Sequence, residues 1–147
     1  MEGKELSILS DGNVEPNKTV SSGKITLQNN GSRVSAGLGY TADIETMDLN
    51  LDAPGGALQS RKRQIGVVSM HVEETRGLWV AQDATSDAIE VKQREDEAYD
   101  DPVALKTGIM QALPISTWGL QGRVFLQQRD PLPCTILSVM PELVVER

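Results

Sequence analysis

The chain has 147 residues, of which 39% are apolar and only 3% aromatic, and its formal net charge is −7. That length suits one domain burying roughly 68–70% of its unfolded surface, so folding needs no disulfide or structural metal. The acidity disfavours tight binding to nucleic acid, because like charge repels phosphate, and the single cysteine, Cys134, excludes an intramolecular disulfide.

Along the chain, short apolar/polar alternation broken by turn residues points to strands. Leu6 and Ile8 lead into Asp11-Gly12-Asn13, a strand entering a turn. Ile25 and Leu27 alternate up to Asn29-Asn30-Gly31, and Val34, Ala36 and Leu38 resume the same period, so a hairpin about the Asn-Gly step is expected. Met47, Leu49 and Leu51 share one face opposite Asp48, Asn50 and Asp52, in a further strand that Pro54-Gly55-Gly56 ends. Residues 57–64 read equally as a short helix or an exposed edge. Val68, Met70 and Val72 alternate cleanly and place His71 on the opposite face, and Gly77 to Ala81 gives the next strand.

From Asp83 to Lys106 the pattern changes to a long acidic excursion, with only Ala88, Ile89 and Val91 marking a brief strand. Gly122 to Gln128 is a strand with Val124 and Leu126 opposite Phe125. Arg129-Asp130-Pro131-Leu132-Pro133 is a rigid connection that cannot continue a ladder. Thr135, Leu137 and Val139 alternate against Ile136 and Met140, and Val144-Val145 adds a separate short strand. The fold expected is mainly β, an antiparallel sandwich or distorted barrel with a long acidic loop and at most one short helix, in a single domain over residues 1–147. Its few large core pieces are Trp79, Trp118 and Phe125. Cys134, between Leu132 and Leu137, reads as a small buried hydrophobe.

Chemistry that needs a gathered set of groups finds little to work with. One His and one Cys cannot close a zinc site, and His71 reads as a structural side chain facing solvent or a partner. No Gly-x-Ser-x-Gly elbow accompanies the serines. Gly37-Leu38-Gly39 is followed by Tyr40-Thr41 rather than by a third glycine and a helix, so the dinucleotide fingerprint fails. The acids Glu95-Asp96-Glu97 and Asp100-Asp101 lack the alternation and glycine of a calcium loop, which leaves a solvated loop. Paired carboxylates for glycoside cleavage would want aromatic sugar platforms, which are scarce here. No catalytic, cofactor-binding or metal residue is therefore assigned, and the chain is not expected to be an enzyme. The triplet Arg61-Lys62-Arg63 stands out on an acidic background and is read as a subunit contact. The start, Met1 to Glu5, lacks a signal-peptide apolar region, and no apolar run nears the ~20 residues that span a bilayer, so a soluble chain made in a reducing cytoplasm is expected.

The run Gly37-Leu38-Gly39-Tyr40-Thr41 with Ile44-Glu45-Thr46-Met47 resembles a signature of the podovirus tail tubular protein B, or nozzle, family. The resemblance continues in order through Leu58-Gln59, Arg61-Lys62-Arg63 and Ile65, then Glu74-Thr75-Arg76-Gly77. It closes with Gly122-Arg123-Val124, Asp130-Pro131-Leu132-Pro133, Thr135-Ile136-Leu137 and Pro141-Glu142. Two departures are that Gly39 replaces a usual proline and Cys134 stands where leucine is common. The resemblance implies a C-terminal part or separately encoded relative of a longer protein, six copies of which form the distal tube of the virion tail, assembled in the host cytoplasm. It implies partners in other copies and other tail proteins, passage of DNA without binding, no membrane insertion and no cofactor. Gly37, Gly39, Tyr40, Pro131 and Pro133 then shape turns, and Arg76 and Arg123 join Arg61, Lys62 and Arg63 as candidate subunit contacts. An acidic wall would suit such a channel, since the repulsion reaches only ~8 Å at cellular salt. The competing expectations are a receptor- or glycan-binding tail module that uses the 83–106 loop and, further off, a polysaccharide-degrading domain.

Overall fold

The computed structural model describes residues 1–49, 52–53, 56–57, 60–94, 96–98 and 101–146. Asn50, Leu51, Pro54, Gly55, Leu58, Gln59, Glu95 and Asp100, on which parts of the sequence reading fall, lie outside the described residues. The protein is mainly β, 49% strand, with antiparallel sheets and no closed barrel. Among the described residues there is no α-helix.

The first sheet is local. Strands β1 (Glu5–Ser10) and β2 (Asn13–Thr19) form a hairpin, and β3 (Val34–Gly37) adds to the other side of β1. A two-residue loop, Asp11-Gly12, joins the hairpin with φ of 48° and 84°, the pair of positive angles that a tight hairpin turn requires and that Asp-Gly supplies cheaply. The hairpin expected about Asn30-Gly31 does not form, because Val34–Gly37 pairs with β1 and Ile25 and Leu27 lie outside any strand. Carboxylates from the first hairpin take the backbone donors that a second ladder would have used. Asp11 accepts from Ser32 N and Arg33 N, each at 2.7 Å, and the buried Glu15 accepts from Gln28 N at 3.3 Å and Asn29 Nδ2 at 2.9 Å. Ile25 and Leu27 pack instead against a small cluster of Leu6, Ile8 and Val20.

Two further sheets share the main core. In one, β7 (Arg63–Thr75) runs between β10 (Lys106–Ala112) and β12 (Thr135–Val145). In the other the order is β4 (Ala42–Glu45), β11 (Phe125–Gln128), β8 (Leu78–Ala81) and β9 (Ile89–Glu90). A ribbon of β5 (Asp52–Ala53) and β6 (Gly56–Ala57) completes the set. The inward residues Ile65, Val68, Met70 and Val72 of β7, Met110 and Ala112 of β10, and Leu78, Val80 and Leu126 of the facing sheet form one buried cluster. His71 lies exposed between buried Met70 and Val72, as the period of two requires.

Several local expectations change. Residues 46–49 form no strand, and Met47 is exposed; the strand there is the preceding Ala42–Glu45, recruited as the edge partner of β11. Among the described residues of 57–64, Ala57 ends β6, Ser60 is in a 3-10 turn and Arg63 starts β7, so the stretch is not one element. Val144-Val145 is not a separate strand but the end of β12, which absorbs Pro141 through register shifts at 136/138 and 141/143. Among the described residues between Asp83 and Leu105, the acidic excursion holds the short β9, where its pattern implied a brief strand. Trp118 is not a core residue, being 48% exposed, whereas Phe125 is buried.

Polar clamps close both ends of β7. At its start Arg63 is only 3% exposed, and its guanidinium donates to Leu49 O at 2.7 Å and twice to Leu120 O, at 2.8 and 2.5 Å. Arg63 and Gly119 also exchange backbone bonds of 2.7 and 3.0 Å. At its finish the buried Thr75 hydroxyl accepts from Thr135 N and donates to carbonyls, tying β12 to β7. Replacing Arg63 with Met keeps the length but orphans two carbonyls, so unfolding stability in urea should fall by about 3 kcal/mol. A fall of a few tenths would show that the clamp contributes little. A second expectation concerns acid. The Ser32 and Arg33 amides hold the Asp11 carboxyl below its ordinary range. With the folded value lowered, its contribution is complete above about pH 4 and disappears as pH drops through the folded value. The stability gap between wild type and Asp11→Asn should thus be constant near neutrality and close below that point; a gap that widens in acid refutes the assignment.

Candidate functional site

The two motif runs richest in turn residues meet in space. Residues 37–41 leave β3, pass Ser7 of β1 and enter β4, while residues 129–134 leave β11 and enter β12. Because Ala42 of β4 pairs with Gln128 of β11, the end of one connection is laid beside the start of the other. Between them lies a groove of about 430 Å³ lined by Leu38, Gly39, Tyr40, Gln128, Pro131 and Leu132. It adjoins a hollow of about 410 Å³ against Ile44, Leu126, Pro133, Cys134 and Ile136, and Tyr40, Ala42, Gln128 and Leu132 line both.

The groove wall is held by backbone bonds. Gln128 Nε2 donates to Arg76 O and Leu132 O, each at 3.0 Å, and Arg76 N donates to Pro133 O at 3.0 Å. Leu132 N donates to Asp130 O at 2.7 Å across Pro131, a three-residue turn that the fixed φ of proline favours. Gly77 has a φ of 71°, and a Cβ there would lie 2.7 Å from Leu132 Cδ1, so the position demands glycine. Beside the groove the Arg129 guanidinium stacks 4.2 Å over the Trp79 ring, and its Nε donates to Gln127 Oε1. Gln128 Oε1 is buried without a hydrogen-bond partner, beneath a wall that Ser7, Ser35, Arg129 and Asp130 share with apolar side chains. The site can therefore take an apolar side chain beside the polar groups of Ser7, Ser35 and Asp130.

The cationic motif residues behave differently from one another. Arg61 and Lys62 are exposed. Arg63 does not join them as a surface contact, because it is the buried clamp described above. Arg76 is half-buried and donates to Gly12 O at 2.6 Å, joining the first sheet to the sandwich. Burial pulls its guanidinium below the ordinary range, and Glu90, Glu97 and Asp130 oppose that shift. Arg123 donates to Asp48 Oδ1 at 2.7 Å and lies 3.9 Å from Glu45 Oε2. Its hydrogen bond holds the Asp48 carboxyl below the usual carboxylate range.

The resemblance implied a turn at Gly37, Gly39 and Tyr40, but Gly37 ends β3 and residues 38–41 form a connection without a turn; Pro131 and Pro133 read as a stiff link, and nothing in the sequence joined the two runs. Gln128, which fixes both, carried no signal beyond its place at a strand end. Among the described residues no group of three His, Cys, Asp or Glu side chains could hold a metal ion. No described helix is long and apolar enough to cross a membrane.

Cys134 lines the hollow, and burial pushes its thiol above the ordinary value. A disulfide reagent at pH 8 should modify it at least tenfold more slowly than the same chain unfolded in urea, since only the thiolate reacts. Equal rates would place the thiol in open solvent. Comparison with protein-family models and with curated proteins finds no match.

Proposed function

We propose that the chain is a catalytically inert structural module of a short-tailed phage tail, a part of the nozzle that forms or braces the DNA exit channel. The observation that carries this reading is the ordered series of motif residues between Gly37 and Glu142, together with what those residues do in the fold. Motif residues Gly39, Tyr40, Pro131 and Pro133 line the groove and the hollow beside it. Arg63, Arg76 and Arg123 are engaged with backbone carbonyls or carboxylates of the same chain, which is the use of cations expected of a scaffold. The net charge of −7 suits a wall past which DNA slides without adhering. The working partners are other copies of the chain and other tail proteins, in a virion tail assembled in the host cytoplasm.

The test is localisation. Gold-labelled antibody raised against the chain, applied to virions of the phage that encodes it, should decorate the free end of the tail in electron micrographs. Decoration of the capsid, or of host material alone, would overturn the reading. In a second measurement, the purified chain should not retard duplex DNA at moderate salt; tight retention would remove the non-adhesive channel.

A further inference from the structure

The Asn29-Asn30-Gly31 step makes no hairpin, yet the fold fixes the chain on both sides of it. Before it, Glu15 accepts from Gln28 N at 3.3 Å and from Asn29 Nδ2 at 2.9 Å. After it, Asp11 accepts from Ser32 N and Arg33 N, each at 2.7 Å, and Asp11 N donates to Arg33 O at 2.9 Å. Between these ties Asn30 and Gly31 are exposed. Among the described residues neither the Gly31 amide nor the Asn30 carboxamide has a hydrogen-bond partner. Packing also holds glycine at position 31. A Cβ there would collide with Oγ of the buried Ser10 and lie 3.2 Å from Val34 Cγ2. With no side chain of its own, Gly31 leaves its backbone nitrogen unshielded.

Asparagine is a thermolabile residue, and a following glycine opens a route for its loss. The glycine nitrogen reaches the side-chain carbonyl carbon of the asparagine and closes a five-membered ring. Here the Gly31 nitrogen gives up its proton and bonds to Asn30 Cγ, the Cγ–Nδ2 bond breaks, and Nδ2 leaves as ammonia. Water then opens the cyclic imide at either carbonyl. One opening gives aspartate at position 30. The other gives isoaspartate, whose main chain runs through Cγ and is one atom longer. Water enters, ammonia leaves, and nothing is oxidised or reduced. The other described asparagines lack this combination. Asn29 precedes Asn30, and its carboxamide is held by Glu15. Asn13 and Asn17 stand in β2, ahead of Val14 and Lys18.

We infer that Asn30-Gly31 is a self-modification site, at which the folded chain converts Asn30 to aspartate or isoaspartate and thereby loosens the loop from the first hairpin. Either product brings a carboxylate into the hollow that Asn30 lines. Asp11, Glu15, Glu90 and Asp130 already outnumber Arg76 and Arg94 there, so the added charge is repelled. Isoaspartate adds a displacement as well. Its extra main-chain atom falls between the residues that Glu15 holds and those that Asp11 holds, so the two sets of ties no longer fit together. The bonds at risk lie next to the Ser10–Val34 pair through which β3 joins β1. The reaction needs no enzyme, so it acts as a timer on the first sheet, whatever the chain assembles into.

Peptide mapping by mass spectrometry, on the whole chain aged at mildly alkaline pH, tests it. The peptide holding residue 30 should gain the mass of an amide-to-acid exchange, in aspartyl and isoaspartyl forms. Its rate should stay within about tenfold of that in the chain unfolded by urea, because no contact has to open first. Asn13, Asn17 and Asn29 should convert at least tenfold more slowly than Asn30, since a ladder or a side-chain bond holds each of them. Asn30→Gln should stop the gain at this site, as glutamine needs a larger ring, and should leave the urea midpoint of fresh chain unchanged. Aged wild type and fresh Asn30→Asp should both have lower urea midpoints, and the deficit of Asn30→Asp should shrink as salt screens the added charge. A folded chain that converts residue 30 more than about tenfold slower than the unfolded one overturns the inference, because the ties would then have to open. Equal conversion at all the described asparagines overturns it too, and so does a fully converted chain with the midpoint of fresh protein.

Discussion

The fold hangs on β7 having partners along both edges. With β10 on one side and β12 on the other, its backbone groups are satisfied over most of its length, and its inward face can sink Ile65, Val68, Met70 and Val72 fully. Burying such a side chain is worth about 1.5–3 kcal/mol, so a strand that places four of them organises everything packed against it. The clamps at Arg63 and Thr75 matter for the same reason. Each fixes where the pairing of β7 ends, and with it where the neighbouring connections must turn. The Tyr40–Leu132 groove sits beyond the clamp at Thr75.

A chain this acidic invites the idea of a catalytic or ion-binding surface, yet many of its carboxylates have local work in the fold. Asp11 and Glu15 organise the connection from β2 to β3. Asp48 and Glu45 hold Arg123, and Asp83 closes its own turn through Thr85 and Ser86. A carboxylate held by amides or a guanidinium is fixed in place, which suits a framework.

What the sequence disclosed follows from which forces leave a periodic trace. β7 and β8 were readable because one face is buried, so Val68, Met70 and Val72 stand out against Ser69 and His71, whereas β12 buries none of its residues fully and its register shifts break the period. β10 was not: it opens with Lys106-Thr107-Gly108, bends through a Gly108 φ of 120°, and buries only Met110 and the small Ala112. The Asn30-Gly31 hairpin misled because side-chain carboxylates outcompeted a ladder, and such long-range capping has no period to detect. Arg63 looked like one of three surface cations, since composition does not reveal that its neighbours offer two carbonyls. The groove escaped notice because its walls are some ninety residues apart and meet only through the pairing of β4 with β11.

The proline inside β12 has a consequence for the open edge of its sheet. Among the described residues β12 has no partner on its outer side, and at eleven residues it is a long open margin. Such margins template indiscriminate strand addition and fibrillar aggregates. Pro141 deletes one amide from the strand, and the two register shifts flanking that stretch warp it. Backbone recruitment of stray chains along that edge is thereby discouraged.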